Sequence, residues 1–200
     1  PVCVLPMGRI DDAITLAQRP EVILTTFGDA LRVPGAQGSP LQARAAGADI
    51  RMVYSPLDAL ELARKNPARE VIFFALGFET TAPSTALTVL RAAREGIKNF
   101  SLLCQHILIV PTLRALLMQP DFTVDGFIGP GHVAMVTGTH PYEFVASTFH
   151  RPFVVAGSEP LDIPQALLMV LRQRERGQAM GEYQYARVVP PDGNPAAQTA

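Results

Sequence analysis

The chain has 200 residues, a formal net charge of −1, and 48% hydrophobic against 18% charged residues. That balance excludes a disordered chain and allows one large domain or two small α/β lobes with cores of their own. The near-zero charge gives no electrostatic reason to bind nucleic acid or an anionic membrane, and no apolar run reaches the roughly 20 residues a membrane span needs.

The first residues, Pro1-Val2-Cys3-Val4-Leu5-Pro6, read as a loop holding one of two cysteines; the other is Cys104. Two cysteines make no disulfide framework and nothing resembles a secretion signal, so a reducing compartment, the cytoplasm, is expected. The start at Pro1, inside a cysteine motif, suggests a chain cut from a longer protein. Short apolar runs then predict strands at 21–26, 49–54, 70–76, 100–104, 124–128 and 152–156, each apolar on both faces, as in strands covered by helices on two sides.

Helices are expected between them. Ser39-Pro40-Leu41-Gln42 is a capping-box pattern with proline at the first helical position, and Ser55-Pro56 repeats the Ser-Pro start. The segment after Thr81 predicts a long helix to about Glu95. Pro111 opens a helix with Leu113, Leu116 and Leu117 on one face. Asp162 is expected to cap a helix that buries Ile163, Leu167, Val170 and Leu171. The alternation implies an α/β fold: two lobes of mostly parallel sheet flanked by helices, with a cleft between them. A hinge near Gly77-Phe78-Glu79-Thr80-Thr81 would divide a first lobe, 1–80, from a second, 81–180, leaving 181–200 as a C-terminal segment.

Ligands in parallel α/β sheets bind beyond the carboxyl ends of the strands. Those ends carry Phe27-Gly28-Asp29 with Arg32, Gly77-Phe78-Glu79-Thr80-Thr81, Gln105-His106, Gly129-Pro130-Gly131-His132 and Gly157-Ser158-Glu159-Pro160. Glycines let backbone approach a ligand, and the polar groups would converge on one pocket. Each has a plainer reading. Asp29 and Arg32 would pair across a turn, Thr80 or Thr81 would cap a helix, Glu79 would face a helix dipole, and His132 would be structural. Cys104 and His106 share a strand face and resemble half a metal site, but packing is the expected role of Cys104. GxGxxG, the Walker lysine and GxSxG are all absent.

Together these loops resemble the HypD family. Pro1–Pro6 looks like the end of GPGCPVCVLP. Thr26-Phe27-Gly28-Asp29 with Arg32-Val33-Pro34-Gly35 looks like TFGDxxRVPG, and Gly77 to Thr81 like GFETT. Pro130-Gly131-His132-Val133 resembles PGHV, Val155 to Asp162 resembles VAGFEPLD, and Gln184-Tyr185-Ala186-Arg187-Val188-Val189 resembles QYxRVV. Departures are Ser158 for Phe, Ala134 for Ser and Tyr183 for Asn. The first cysteine of CPVC, the CGGH segment and the iron–sulfur cysteines have no counterpart here.

The resemblance implies a [NiFe]-hydrogenase maturation scaffold, a metallocentre assembly factor rather than a conventional turnover enzyme. It would hold an iron that acquires two cyanides and one carbon monoxide, with a HypC-type chaperone and a HypE-type cyanide donor as partners. The family's [4Fe–4S] cluster would have its ligands outside this chain. Cys3 would be the metal-binding and redox thiol, and Glu79 and His132 the proton or hydrogen-bond partners of iron-bound cyanide. Asp29, Arg32, Thr80, Thr81 and Glu159 would line the cleft. Three other readings stay open: a two-lobed small-anion binding module without redox chemistry, a thiol enzyme using Cys104 with His106 or His132, and a structural docking unit.

Overall fold

The structure, a computed structural model, describes residues 4–199; Cys3 lies outside them. The chain forms two compact units, one running to Ile107 and the other Leu108–Thr199. The division falls later than the expected hinge near residue 80. The strand after that hinge pairs with the one before it, which keeps both in the first unit.

In the first unit, strands β1 (Val22–Thr26), β2 (Ile50–Met52), β3 (Glu70–Gly77) and β4 (Phe100–His106) form a parallel sheet in the order β2-β1-β3-β4. The chain leaves β1 in one direction and returns to its other side, so β1 and β3 flank the topological switch point. Strand β3 shows why the element forms. Ile72, Phe74 and Leu76 enter one apolar layer with α1 (Met7–Ala17), and Val71, Phe73 and Ala75 enter the opposite layer with α3 (Pro56–Lys65). The period of two puts alternate residues on opposite faces. Burying each phenylalanine contributes about 2–3 kcal/mol. Thr25 and Thr26, fully buried in β1, satisfy their hydroxyls by donating to the carbonyls of Ile72 and Phe74 at 3.1 and 3.3 Å.

The expected capping box forms at Ser39, and the Ser-Pro start at Ser55 forms a second one. Ser39 caps α2 (Pro40–Ala45) with Gln42 reaching back to the Ser39 N–H, and Ser55 caps α3 with Asp58 reaching back. Helix α4 (Ala82–Arg94) follows β3. The edge strands do not bury both faces: Met52 in β2, and Ser101 and Cys104 in β4, are exposed. Cys104 is therefore not a packing residue, because among the described residues β4 has a neighbouring strand on one side only.

The second unit holds β5 (Phe127–Pro130), β6 (Phe153–Ala156) and β7 (Gly181–Tyr183) in a parallel sheet with β6 central. Phe153 and Val155 face a layer with α5 (Ile109–Leu117), α6 (Gly131–Thr137), α7 (Glu143–Ser147), Tyr185 and Val189. Val154 and Ala156 face α8 (Asp162–Glu175). A final helix, α9 (Pro195–Gln198), closes the described chain. The expected strand 124–128 starts later, at Phe127, and β7 turns part of the expected C-terminal segment into sheet.

Two helix faces differ from expectation. Helix α8 buries Asp162, Ala166, Val170 and Gln173, while Ile163, Leu167 and Leu171 remain 45–49% exposed. The three-stranded sheet is too narrow to cover a wide helical stripe, and the polar Gln173 is drawn inward by bonds to Met180 N–H and Glu182. In α5, Leu113 and Leu117 are buried and Leu116 is exposed.

Candidate functional site

In the first unit the expected cluster gathers at the carboxyl ends of β1 and β3. A cavity of about 460 Å³ is lined by Phe27, Asp29, Tyr54, Ser55, Pro56, Leu76, Thr81 and Ser84. Asp29 spends its carboxylate on the Ala30 N–H at 2.9 Å, capping the 3-10 turn Ala30–Arg32. The turn is thus fixed by a cap rather than by the expected pairing with Arg32, whose side chain is exposed. Thr81 is the N-cap residue of α4, yet its hydroxyl does not cap. It donates back to the carbonyls of Leu76 and Phe78, both at 3.4 Å, and so closes the turn over Gly77. A Cβ at Gly77 would overlap the Thr81 hydroxyl, which is why this close approach requires glycine. Glu79 is buried within that turn, at 9% exposure, whereas Thr80 points outward. The cavity lies at the N-termini of α3 and α4, whose helix dipoles favour negative charge, although at α3 the Ser55 hydroxyl and Asp58 carboxylate already take the nearby N–H groups.

In the second unit, loops far apart in sequence meet beyond β5, β6 and β7. His132 is exposed on the first turn of α6, with its Nδ1 3.4 Å from the Ser158 hydroxyl and its ring 6.0 Å, edge-on, from Tyr185. Beneath them lies Asp162, its side chain 5% exposed. It accepts from Arg187 Nη2 at 2.9 and 3.0 Å, from Gln184 Nε2 at 2.8 Å and from the Glu159 N–H at 3.2 Å. Arg187 also pairs with Glu159 at 3.2 Å and lies over the Tyr185 ring at 4.6 Å. The Arg187 hydrogen bond is the main reason the Asp162 carboxyl sits below the usual carboxylate range; burial opposes it, and Gln184 and the backbone add to it. Arg187 is correspondingly pushed up, chiefly by the same bond. A Cβ on Gly157 would overlap Asp162, and one on Gly131 would overlap the Ala156 carbonyl, so both glycines clear room for this cluster.

His132 and Glu159 are thus brought into one constellation, and Asp29 and Thr81 into another. Sequence reasoning missed Asp162 as more than a helix start, and missed Gln184, Tyr185 and Arg187 as its partners. The available signal was the pair of segments ending in Asp162 and running from Gln184 to Val189, each carrying an uncompensated charge beside an apolar strand.

The fold and these loops define a parallel α/β protein whose polar chemistry sits at strand ends, with a carboxylate held by a charged clamp and an imidazole against Ser158 and Tyr185. Among the described residues no group of three or more metal-ligating side chains forms, and no helix is long and apolar enough to cross a membrane. The model of the HypD family, described as "Hydrogenase formation hypA family", matches residues 1–200. The chain is 64% identical to the hydrogenase maturation factor HypD of Rhodobacter capsulatus over 97% of its own length and 52% of that protein's. It is 59% identical to HypD of Escherichia coli over 100% and 54%, and 56% identical to that of Rhizobium leguminosarum over 99% and 53%. The chain belongs to the HypD family, and it spans about half the length of the curated relatives it matches.

Proposed function

We propose that this chain is the part of a hydrogenase maturation factor that handles iron as cargo while the Fe(CN)2CO unit is assembled. The observation that carries the reading is the meeting of His132, Ser158 and the Glu159–Arg187–Asp162 clamp at the ends of β5 to β7. Family membership supports it.

Iron that accepts cyanide needs a soft thiolate ligand and a source of electrons, and the thiolate of Cys3 provides the first. Paired with a second cysteine in the intact protein, it also stores two electrons as a disulfide. The Ser158 hydroxyl on Nδ1 fixes the His132 ring and leaves Nε2 as the atom presented to a ligand. That nitrogen holds or gives a hydrogen bond at the cyanide nitrogen. Arg187 offsets one of the two carboxylate charges of Glu159 and Asp162, so the clamp keeps one negative charge and contact with an anionic ligand there rests on the His132 N–H. Buried Glu79 serves as the proton partner of the first unit, with Asp29 and Thr81 lining its cavity and Arg32 and Thr80 exposed on the same loops. A HypC-type chaperone and a HypE-type cyanide donor are the partners in a cytoplasmic assembly, and the protein acts as a scaffold rather than a turnover enzyme. A [4Fe–4S] cluster needs four thiolates and the chain has two cysteines, so no step here passes through a cluster.

The test is full-length protein carrying Glu79→Ala or His132→Ala, with hydrogenase maturation and the infrared bands of iron-bound cyanide as readouts. Weakened bands and lost maturation are expected; unchanged values for both would remove these residues from the mechanism. A second reading, a small-anion binding module, is favoured by the first-unit cavity at two helix N-termini. Anion titration that is indifferent to Cys3→Ser and saturates without iron would support it instead.

A further inference from the structure

We propose that Cys104 and His106 form a second thiol site on edge strand β4, where the Cys104 sulfur exchanges with small disulfides and captures soft electrophiles. The two residues are two apart on a strand and so project from the same face. Cys104 is exposed, and its sulfur lies 3.6 Å from His106 Nδ1. The other ring nitrogen, Nε2, is buried with no hydrogen-bond partner among the described residues.

That asymmetry assigns the proton. A neutral imidazole carries one N–H, and a buried N–H without an acceptor is rarer and more costly than a bare acceptor nitrogen. The hydrogen therefore sits on Nδ1 and donates to the Cys104 sulfur. Burial, which pushes the His106 imidazole below its ordinary range, keeps it neutral and is consistent with this arrangement. The ring is held in place from below: His106 lies opposite Gly77 in the β3–β4 register, and a Cβ there would come within 3.2 Å of His106 Cδ2. Because Cys104 is exposed, its proton passes directly to water and a reagent reaches the sulfur without displacing protein.

In the exchange, the Cys104 thiolate attacks one sulfur of a low-mass disulfide. A new S–S bond forms to Cys104, the old S–S bond breaks, and the departing thiolate takes a proton from water. The disulfide is the oxidant, and no other co-reactant is needed. His106 is a positioning residue: it touches the sulfur, not the incoming disulfide. The site requires neither iron nor Cys3.

The experiment uses full-length protein carrying Cys3→Ser, with modification of Cys104 followed by peptide-resolved mass spectrometry. Iodoacetamide and oxidised glutathione are the probes. Removing the Nδ1 donor with His106→Phe is expected to slow both reactions about tenfold, and His106→Asn, which restores an N–H near the same place, to recover most of the rate. A purely structural histidine would be replaced better by Phe than by Asn, so the order of the two variants separates the roles. Equal rates in wild type and both variants, or a Cys104 that fails to react where a free cysteine reacts, would overturn the proposal. Thermal melting of each variant identifies any that fails to fold, and the comparison of wild-type Cys104 with free cysteine needs no histidine variant.

Discussion

In the first unit the strand-end cavity is built from aromatic, hydroxyl and backbone groups, and its one lining carboxylate, Asp29, is consumed by capping its own turn. In the second unit the strand ends are organised around a carboxylate that is almost fully covered. Asp162 is held by Arg187, Gln184 and a backbone N–H, with Glu159 and Tyr185 drawn in by the same arginine. The difference teaches that similar parallel sheets can fix a site by packing or by charge. Sites fixed by packing respond little to pH, whereas charge-fixed sites weaken when a partner is removed or protonated.

The largest expected effect probes the cores beneath the two sites. Phe153→Ala removes a ring stacked on Tyr142 at 5.0 Å, and Phe73→Ala removes one in edge contact with Phe27 at 5.3 Å. Each should lower stability by about 3–5 kcal/mol in denaturant titration. Similar losses would show that the units differ in their sites and not in their cores.

Next come the glycines. A Cβ on Gly131 meets backbone, the Ala156 carbonyl, whereas one on Gly28 meets only the flexible end of Met52, at 2.9 Å from Sδ. Gly131→Ala should cost about 1–3 kcal/mol and Gly28→Ala less than about 1 kcal/mol. The reverse order would break the comparison at its root.

The acid response is smaller and more diagnostic. The folded Asp162 carboxyl lies below its ordinary value of 3.8, first because of Arg187. As pH falls the unfolded chain takes up this proton earlier, so the stabilisation is complete above about pH 4 and is lost as pH falls through the folded value. Asp162→Asn should therefore lower the melting temperature near pH 7 and flatten its decline in acid. His140 works in the opposite sense: Glu143 raises it, so its contribution is present below the ordinary histidine value and fades as pH rises through the folded one. Asp29→Ala removes a cap worth about 1 kcal/mol, a loss that denaturant titration should show.

Much of this organisation was legible in sequence because local physics dictated it. Ser39 and Ser55 start their helices where hydroxyl, proline and N3 acceptor coincide, and β3 is apolar on both faces because it is covered on both. What could not be read depends on neighbours. Whether Cys104 is buried turns on β4 being an edge strand, and the alternation of Leu102, Leu103 and Cys104 does not reveal that. The exposed leucines of α8 follow from the width of a three-stranded sheet. Strand β7 is only Gly181-Glu182-Tyr183, too short and polar to signal by itself. Cavity residues Asp29 and Thr81 were named from their motifs, while the role of Asp162 as an anchor needed the chain to bring Gln184 and Arg187 back beside it.

The central claim is that the Asp162 clamp organises His132 for handling the ligands of iron. The direct test is the infrared spectrum of full-length Asp162→Asn protein under conditions where circular dichroism shows it folded. Weaker or shifted bands of iron-bound cyanide, at unchanged iron content, are the predicted result. Bands identical in position and intensity to the wild type would contradict the account.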